Sequence, residues 1–423
     1  MRALAEKIKG YAIYLKNYIF SFIFWIFLSL SVGITGGIVG TLFSKSIGFV
    51  THIRTENNWI ILLLPLGGLL SVGLYKLCRV SKVGTNQIIA AARGKEKVSP
   101  LLTPAIFGAS VITHLLGGSA GREGAALQLG GSVSSLLSKL LRLDEKTSRV
   151  LTLCGMSAVF SALFSTPLGA CVFALEVIGT GSLFTSAIFP CIISSFGAFA
   201  VSELLGVEAE KFHIANMPSI RLDVLWKVIL IAALGALVSF IFVKLLHLCE
   251  KMMHKYLKNE FLRIFVGGSV IVLLTILLRT TDYNGGGMDI IEHIFTKGEF
   301  HYEAFALKIL FTVITVSAGY KGGEIVPSLF IGATFGAASA SLLGLDVAFG
   351  AAIGMAALLC GVTNCTLATI IICTELFSAE GMMYFAIAAV ISRLLSGNTG
   401  LYINNKLPLI GASFNNSHKE HKL

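Results

Sequence analysis

Two glycine-rich runs place carboxylates in strongly apolar surroundings. The first is Gly117-Gly118-Ser119-Ala120-Gly121-Arg122-Glu123-Gly124, and the second is Gly319-Tyr320-Lys321-Gly322-Gly323-Glu324-Ile325-Val326-Pro327. On insertion scales a charge at the bilayer centre costs roughly 2.5–3.5 kcal/mol, so such residues face a pathway or a partner. Glycines keep side chains off the backbone and leave its N–H groups free to meet an anion. The helix expected after Gly124, through Leu127, Leu129 and Val133, points its positive end at the same place. A carboxylate beside such a site can serve as a gate. Ionised, it takes the anion's position; protonated, it leaves. Proton and anion then compete for one place, which couples their fluxes when burial brings the carboxyl's proton affinity toward neutral pH. The plainer alternatives are an ion pair between Arg122 and Glu123, and a Glu324 that only satisfies the free N–H groups of its own helix end. Arg122 itself is expected to diverge from the ion, because adjacent residues at a helix start point apart.

The elements that must hold these runs are membrane helices. The chain has 423 residues, of which 55% are hydrophobic and 13% charged, where a soluble protein carries about 25% charged residues. Long apolar stretches run over Tyr18–Phe43, Trp59–Tyr75, Val228–Val243, Ile264–Leu278 and Phe305–Ser317. Leu101–Leu116 and Ile325–Leu343 are short or rich in small residues, which predicts tilted, broken or re-entrant helices. The net charge of +10 invites a nucleic-acid reading, but the basic residues gather at segment ends: Lys7 and Lys16, Lys139 to Arg149, Lys251 to Arg263. That is the positive-inside pattern, and it places those loops and the N-terminus in the cytoplasm of a cell-membrane protein with no nucleic-acid partner. No cleavable leader is expected, since the first 17 residues are charged and the following apolar run is too long. The eight cysteines suit packing rather than disulfides or zinc, and no metal or other cofactor is expected. His418 and His421 read as part of a polar terminus.

An internal repeat organises the chain. After Gly121-Arg122-Glu123 come Gly155-Met156, Thr166-Pro167-Leu168 and Phe173-Ala174-Leu175-Glu176. After Gly322-Gly323-Glu324 come Gly354-Met355, Cys365-Thr366-Leu367 and Ile372-Cys373-Thr374-Glu375. From the Gly-Met pair to the last glutamate is 21 residues in both halves. The expectation is a single transmembrane domain over 1–423, with halves near 18–210 and 222–408 and polar termini outside them. Inverted repeats whose broken helices meet at the midplane are a common transporter plan.

These blocks resemble the CLC family of anion channels and proton-coupled antiporters over roughly Gly84 to Tyr402. The resemblance implies an all-α fold of two inverted halves with broken and re-entrant helices, and a homodimer in the lipid bilayer with one pathway per subunit. Three departures resemble the fluoride/proton antiporter branch, CLC-F. Gly84-Thr85-Asn86-Gln87-Ile88 replaces the Gly-Ser-Gly-Ile-Pro of chloride-type members. Glu324 is added to the second-half motif, and Val177 stands where chloride-type antiporters carry an internal proton-accepting glutamate. The implied function is export of fluoride in exchange for protons. Glu123 and Glu324 are the gating and proton-transfer residues, and Gly84, Thr85, Asn86, Gly121, Gly323, Ile325, Val326 and Tyr402 surround the anion. Backbone N–H groups, an amide and a phenol can replace fluoride's tightly held water, whereas a hydroxyl and apolar contacts suit chloride. A chloride-selective antiporter or channel of the same fold is the alternative. An enzyme is not expected, because no nucleophile–base pair or metal cluster can be read.

Overall fold

The glycine runs interrupt long apolar helices, and those interruptions set the architecture. The computed structural model describes residues 2–80, 84–179, 185–209, 211–397 and 399–402. These residues form sixteen α-helices, with no β-strand among them. The first half contains α1 (Arg2–Glu56), α2 (Leu64–Leu77), α3 (Thr85–Ala92) and α4 (Leu102–Leu115). It continues with α5 (Glu123–Leu140), α6 (Glu145–Phe164), α7 (Pro167–Val177) and α8 (Ile188–Leu204). The second half repeats the series as α9 (Leu222–Tyr256), α10 (Glu260–Leu278), α11 (Met288–Lys297) and α12 (Ala304–Ala318). It ends with α13 (Ile325–Leu343), α14 (Val347–Thr363), α15 (Thr366–Leu376) and α16 (Met382–Ser396). Eight helical segments are long and apolar enough to cross a membrane, whereas α4, α7, α12 and α15 are shorter. The broken-helix expectation therefore stands, and α1 is longer than its apolar pattern suggested, since it begins well before Tyr18. The histidines near the C-terminus lie outside the described residues.

Local chemistry explains why equivalent helices begin and end at equivalent places. Gly117 after α4 and Gly319 after α12 have φ of +82° and +108°, a region glycine enters without steric penalty. The Asp144 carboxylate accepts from the Lys146 and Thr147 N–H groups to cap α6, and Asp346 accepts from Phe349 N–H to cap α14. Ser165 and Asn364, both left-handed, close the same two helices. The core lies where α5 crosses α6 and where α13 crosses α14. These helices are apolar or small-residued nearly all round and are buried by protein. A Cβ on Gly332 would stand 2.6 Å from the Gly354 carbonyl oxygen, and one on Gly155 would overlap the Gly130 carbonyl. The Gly-Met pairs of the repeat are thus close-approach positions. Gly155→Ala and Gly354→Ala should each destabilise the protein by about 1–3 kcal/mol through overpacking. Tryptophan fluorescence of detergent-solubilised protein during heating checks this, and an unchanged midpoint would mean the crossing relaxes freely.

Glu176 and Glu375, which end the two repeat blocks, bind the halves together. The Glu176 carboxylate accepts from the Leu367 and Ala368 N–H groups (3.2 and 2.8 Å) at the start of α15. Glu375 accepts from Leu168 and Gly169 N–H (3.0 and 2.7 Å) at the start of α7. Each half thus neutralises the positive helix end of the other.

Candidate anion site and its two cavities

Backbone joins the two glycine runs directly. Gly121 N–H donates to Gly323 O and Gly323 N–H donates to Gly121 O, both at 2.6 Å, in an isolated antiparallel bridge. The N–H groups of these two glycines are therefore taken up by each other, and their lack of side chains lets the runs touch. A Cβ on Gly323 would lie 3.2 Å from Glu123 Oε2 and would strike the Gly124 backbone. Helices α5 and α13 begin just beyond the bridge, at Glu123 and Ile325. The start of α3 lies alongside them: Thr85 Oγ1 is 3.5 Å from Gly124 O, and Gln128 Nε2 donates to Thr85 Oγ1 at 3.2 Å. Three positive helix ends meet in one place.

Glu123 lies at this junction with no solvent exposure. Its Oε2 accepts from Val326 N–H at 3.1 Å, across the repeat, while Oε1 has no hydrogen-bond partner among the described residues. The carboxylate therefore occupies a backbone position suited to an anion. Val326 and Ile325 are both buried, and it is the Val326 amide, not its side chain, that meets the carboxylate. Arg122 diverges as expected: its guanidinium donates to Ser44 Oγ (3.1 Å) and Leu163 O (3.3 Å). His114 is packed, with Nδ1 2.8 Å from Ser110 O.

Two cavities approach the junction. One, of about 650 Å³, is lined by Gly121, Arg122, Val326, Arg54 and Gly286. The other, of about 630 Å³, is lined by Gly84, Thr85, Asn86, Gln128, Glu324 and Tyr402. Glu260 and Arg263 at the start of α10 face the second cavity, and Thr281 and Asp282 just past its end face the first. Because α10 has 19 residues, or about 28 Å of helix at 1.5 Å per residue, the cavities lie at opposite ends of a membrane-spanning length. Tyr402 is buried rather than interfacial. Its segment is fixed by Leu401 N–H donating to Val362 O (2.8 Å) and by Asn364 Nδ2 donating to Thr399 O (3.3 Å). Among the described residues the Tyr402 hydroxyl, Asn86 Oδ1 and Gln128 Oε1 have no hydrogen-bond partner, and all three side chains line the second cavity. Buried polar atoms are rarely left so without a role, and an Asn or Gln amide can offer its NH₂ by turning over. Lys321 stands at this cavity with Nζ 4.4 Å from the centre of the Tyr75 ring.

Some of the polar framework was missed in the sequence. Lys308 lies inside a stretch read as apolar, is wholly buried, and donates to Tyr283 O (3.1 Å) and Gly285 O (2.7 Å). It anchors the glycine loop that lines the first cavity. The signal was available, since a charge inside a spanning segment always needs a partner. Arg54, also buried, donates to His114 O at 2.8 Å. Gln128, which holds Thr85, carried no such signal, because an uncharged glutamine does not stand out in a helix the way a charge does. No cluster of His, Cys, Asp and Glu that could hold a metal occurs among the described residues.

Comparisons with known proteins agree with this geometry. The family model described as voltage gated chloride channel matches residues 67–397. The chain is 33% identical over 393 residues to the chloride/fluoride channel protein of Pseudomonas syringae pv. tomato, covering 89% of this chain and 85% of that one. It is 26% identical to the H(+)/Cl(-) exchange transporter ClcA of Vibrio cholerae, over 74% of this chain and 71% of that one. Among solved structures, a CLC-type fluoride/proton antiporter superposes with a TM-score of 0.88 at 32% identity, covering 92% of this chain and 98% of the other. A slow cyanobacterial Cl-/H+ antiporter, at 20% identity, shares the fold with a TM-score of 0.76. The repeat, the bridged glycine runs and these matches together make the chain a member of the CLC family of voltage-gated chloride channels and their proton-coupled relatives.

Proposed function

We propose that the protein exports fluoride in exchange for protons, acting as a secondary transporter and not as an enzyme. The observation that carries this reading is the Glu123 carboxylate seated on Val326 N–H at the seam between two opposed cavities. Protonation removes the charge that holds Glu123 there, and an anion can then take the same N–H group. The names of the two relatives described at 33% and 32% identity support fluoride as that anion. The Asn86 amide and the Tyr402 hydroxyl supply the strong donors that a small, tightly hydrated anion needs. Glu324 exchanges protons with Glu123 in place of the carboxylate lost at Val177. The basic loops beside the second cavity support a cytoplasmic position for it, with the N-terminus on the same side of the cell membrane. The working unit is a homodimer, and the exposed apolar side chains Leu168, Leu367 and Leu394 on α7, α15 and α16 offer a face for the second subunit.

The test is transport by purified protein in liposomes, with a fluoride electrode and a pH electrode read together. An outward fluoride gradient should drive proton uptake against no other energy source. Fluoride loss without proton movement would make the protein a channel, and chloride moving equally well would remove the fluoride assignment. Anion choice is tested by changing Thr85→Ser together with Asn86→Gly, which removes an amide donor and widens the site. Losing one strong hydrogen bond to an ion is worth roughly 1.5–3 kcal/mol, so the fluoride-to-chloride flux ratio should fall about tenfold or more. A ratio that does not move in well-folded protein would put selectivity elsewhere.

A further inference from the structure

Glu324 is only half-buried, and the space it faces is the second cavity. Two other carboxylates line that cavity, Glu250 on the last turns of α9 and Glu260 at the start of α10. They do not stand in equivalent positions. Glu250 is exposed where it lines the cavity, whereas Glu260 is half-buried. Glu260 shares the start of α10 with Arg263, a cation that faces the same cavity. The carboxylates thus form a series of three, Glu123, Glu324 and Glu250, passing from no exposure through partial burial to an exposed position. Val177, where such a series could have begun on α7, is wholly buried and cannot titrate.

We propose that Glu250 is the proton-transfer residue at the cytoplasmic mouth of the pathway, passing protons between Glu324 and bulk water. This rests on the antiport reading above and extends it by one residue on a different helix. Inward transfer moves a proton from the Glu324 carboxyl to the Glu250 carboxylate, directly or along cavity water. Glu250 then releases it to the cytoplasm, and Glu324, left ionised, accepts the next proton from Glu123. Each step exchanges one proton between two carboxyl groups, so no co-reactant is needed. The groups facing this part of the cavity from neighbouring elements are His247 and His254 on α9, Glu260 and Arg263 on α10, Lys321 before α13, and Tyr402. The positive members serve the anion that shares the cavity, and a carboxylate at its mouth would only hinder that anion unless it had another use.

The experiment compares Glu250→Gln, Glu250→Asp and Glu260→Gln with the wild type in liposomes, recording fluoride and protons together. A positioned acid–base group contributes about 10²–10⁴ to a transfer rate, and water replaces part of that at an exposed mouth, so Glu250→Gln should slow both ions about tenfold. Glu250→Asp should recover most of the rate, and Glu260→Gln should keep proton coupling. Raising the concentration of an impermeant zwitterionic buffer on the cytoplasmic face should speed Glu250→Gln more than wild type, which a structural lesion would not do. Fluoride affinity by calorimetry should stay within about twofold of wild type for Glu250→Gln, as expected of an exposed position away from the anion's donors. A wild-type coupled rate in Glu250→Gln overturns the proposal. So does a slow variant whose fluoride affinity has shifted and which buffer does not rescue, because Glu250 would then be acting on the anion. A wild-type protein that moves no protons with fluoride refutes the antiport reading itself.

Discussion

Glu123→Gln protein in liposomes should take up protons no faster than empty liposomes when an outward fluoride gradient is imposed. The side chain meets Val326 N–H through Oε2 at 3.1 Å and leaves Oε1 without a partner among the described residues. A glutamine can keep the first contact with its amide oxygen but cannot take up a proton at any working pH. The gate would then have one charge state, and proton and fluoride could no longer alternate at a single position. Loss of the titrating group should lower proton flux by more than about a hundredfold, the lower range for removing a positioned acid–base group. Folding should survive, because the substitution is isosteric and the Gly121–Gly323 bridge is made by backbone alone. The pH electrode decides the matter: fluoride-driven uptake at the wild-type rate would remove Glu123 from the mechanism.

Glu324→Gln is expected to slow coupled exchange by about ten- to a hundredfold, with fluoride and protons falling together. In the proposed mechanism Val177 cannot titrate, so another carboxyl carries protons from Glu123, and Glu324 lines the second cavity. The helix start it occupies does not depend on its side-chain charge. The Glu324 carbonyl accepts from Ser328 N–H (3.0 Å) and from Ser328 Oγ–H (2.7 Å), and both bonds remain in the variant. The elution volume on size exclusion should therefore match the wild type. Simultaneous recordings that showed normal coupled rates would reduce Glu324 to a helix-end carboxylate, and the proton route would have to pass through water or Tyr402.

Much of this site was legible in the sequence because its signals are local. A carboxylate inside an apolar stretch stands out wherever it occurs, and so do glycines at matching intervals in two halves. Glu123, Glu324 and the paired Gly-Met positions were singled out in that way, and Thr85, Asn86 and Tyr402 line the same cavity as Glu324. Lys308 could have been found by the same rule and was hidden only by the apolar average of its segment. The reciprocal capping by Glu176 and Glu375 gave no local sign, since each carboxylate serves a helix that begins about 190 to 210 residues away.

The sequence by itself determined that the chain is a membrane protein of two repeated halves, broken at glycine-rich runs that include titratable residues. Composition, helix-ending glycines and the aspartate caps act within a turn or two, so their consequences follow from short stretches of chain. Tertiary structure decided which donor meets which acceptor. Gly121 and Gly323 satisfy each other, so Val326 supplies the N–H group that Glu123 accepts, although Gly121, Gly323 and Val326 had equal standing in the sequence. It also decided that Glu250, an ordinary glutamate near the end of α9, faces the same cavity as Glu324. Pairing across some two hundred residues depends on how the two halves pack against each other, and no pattern of spacing within either half encodes that distance.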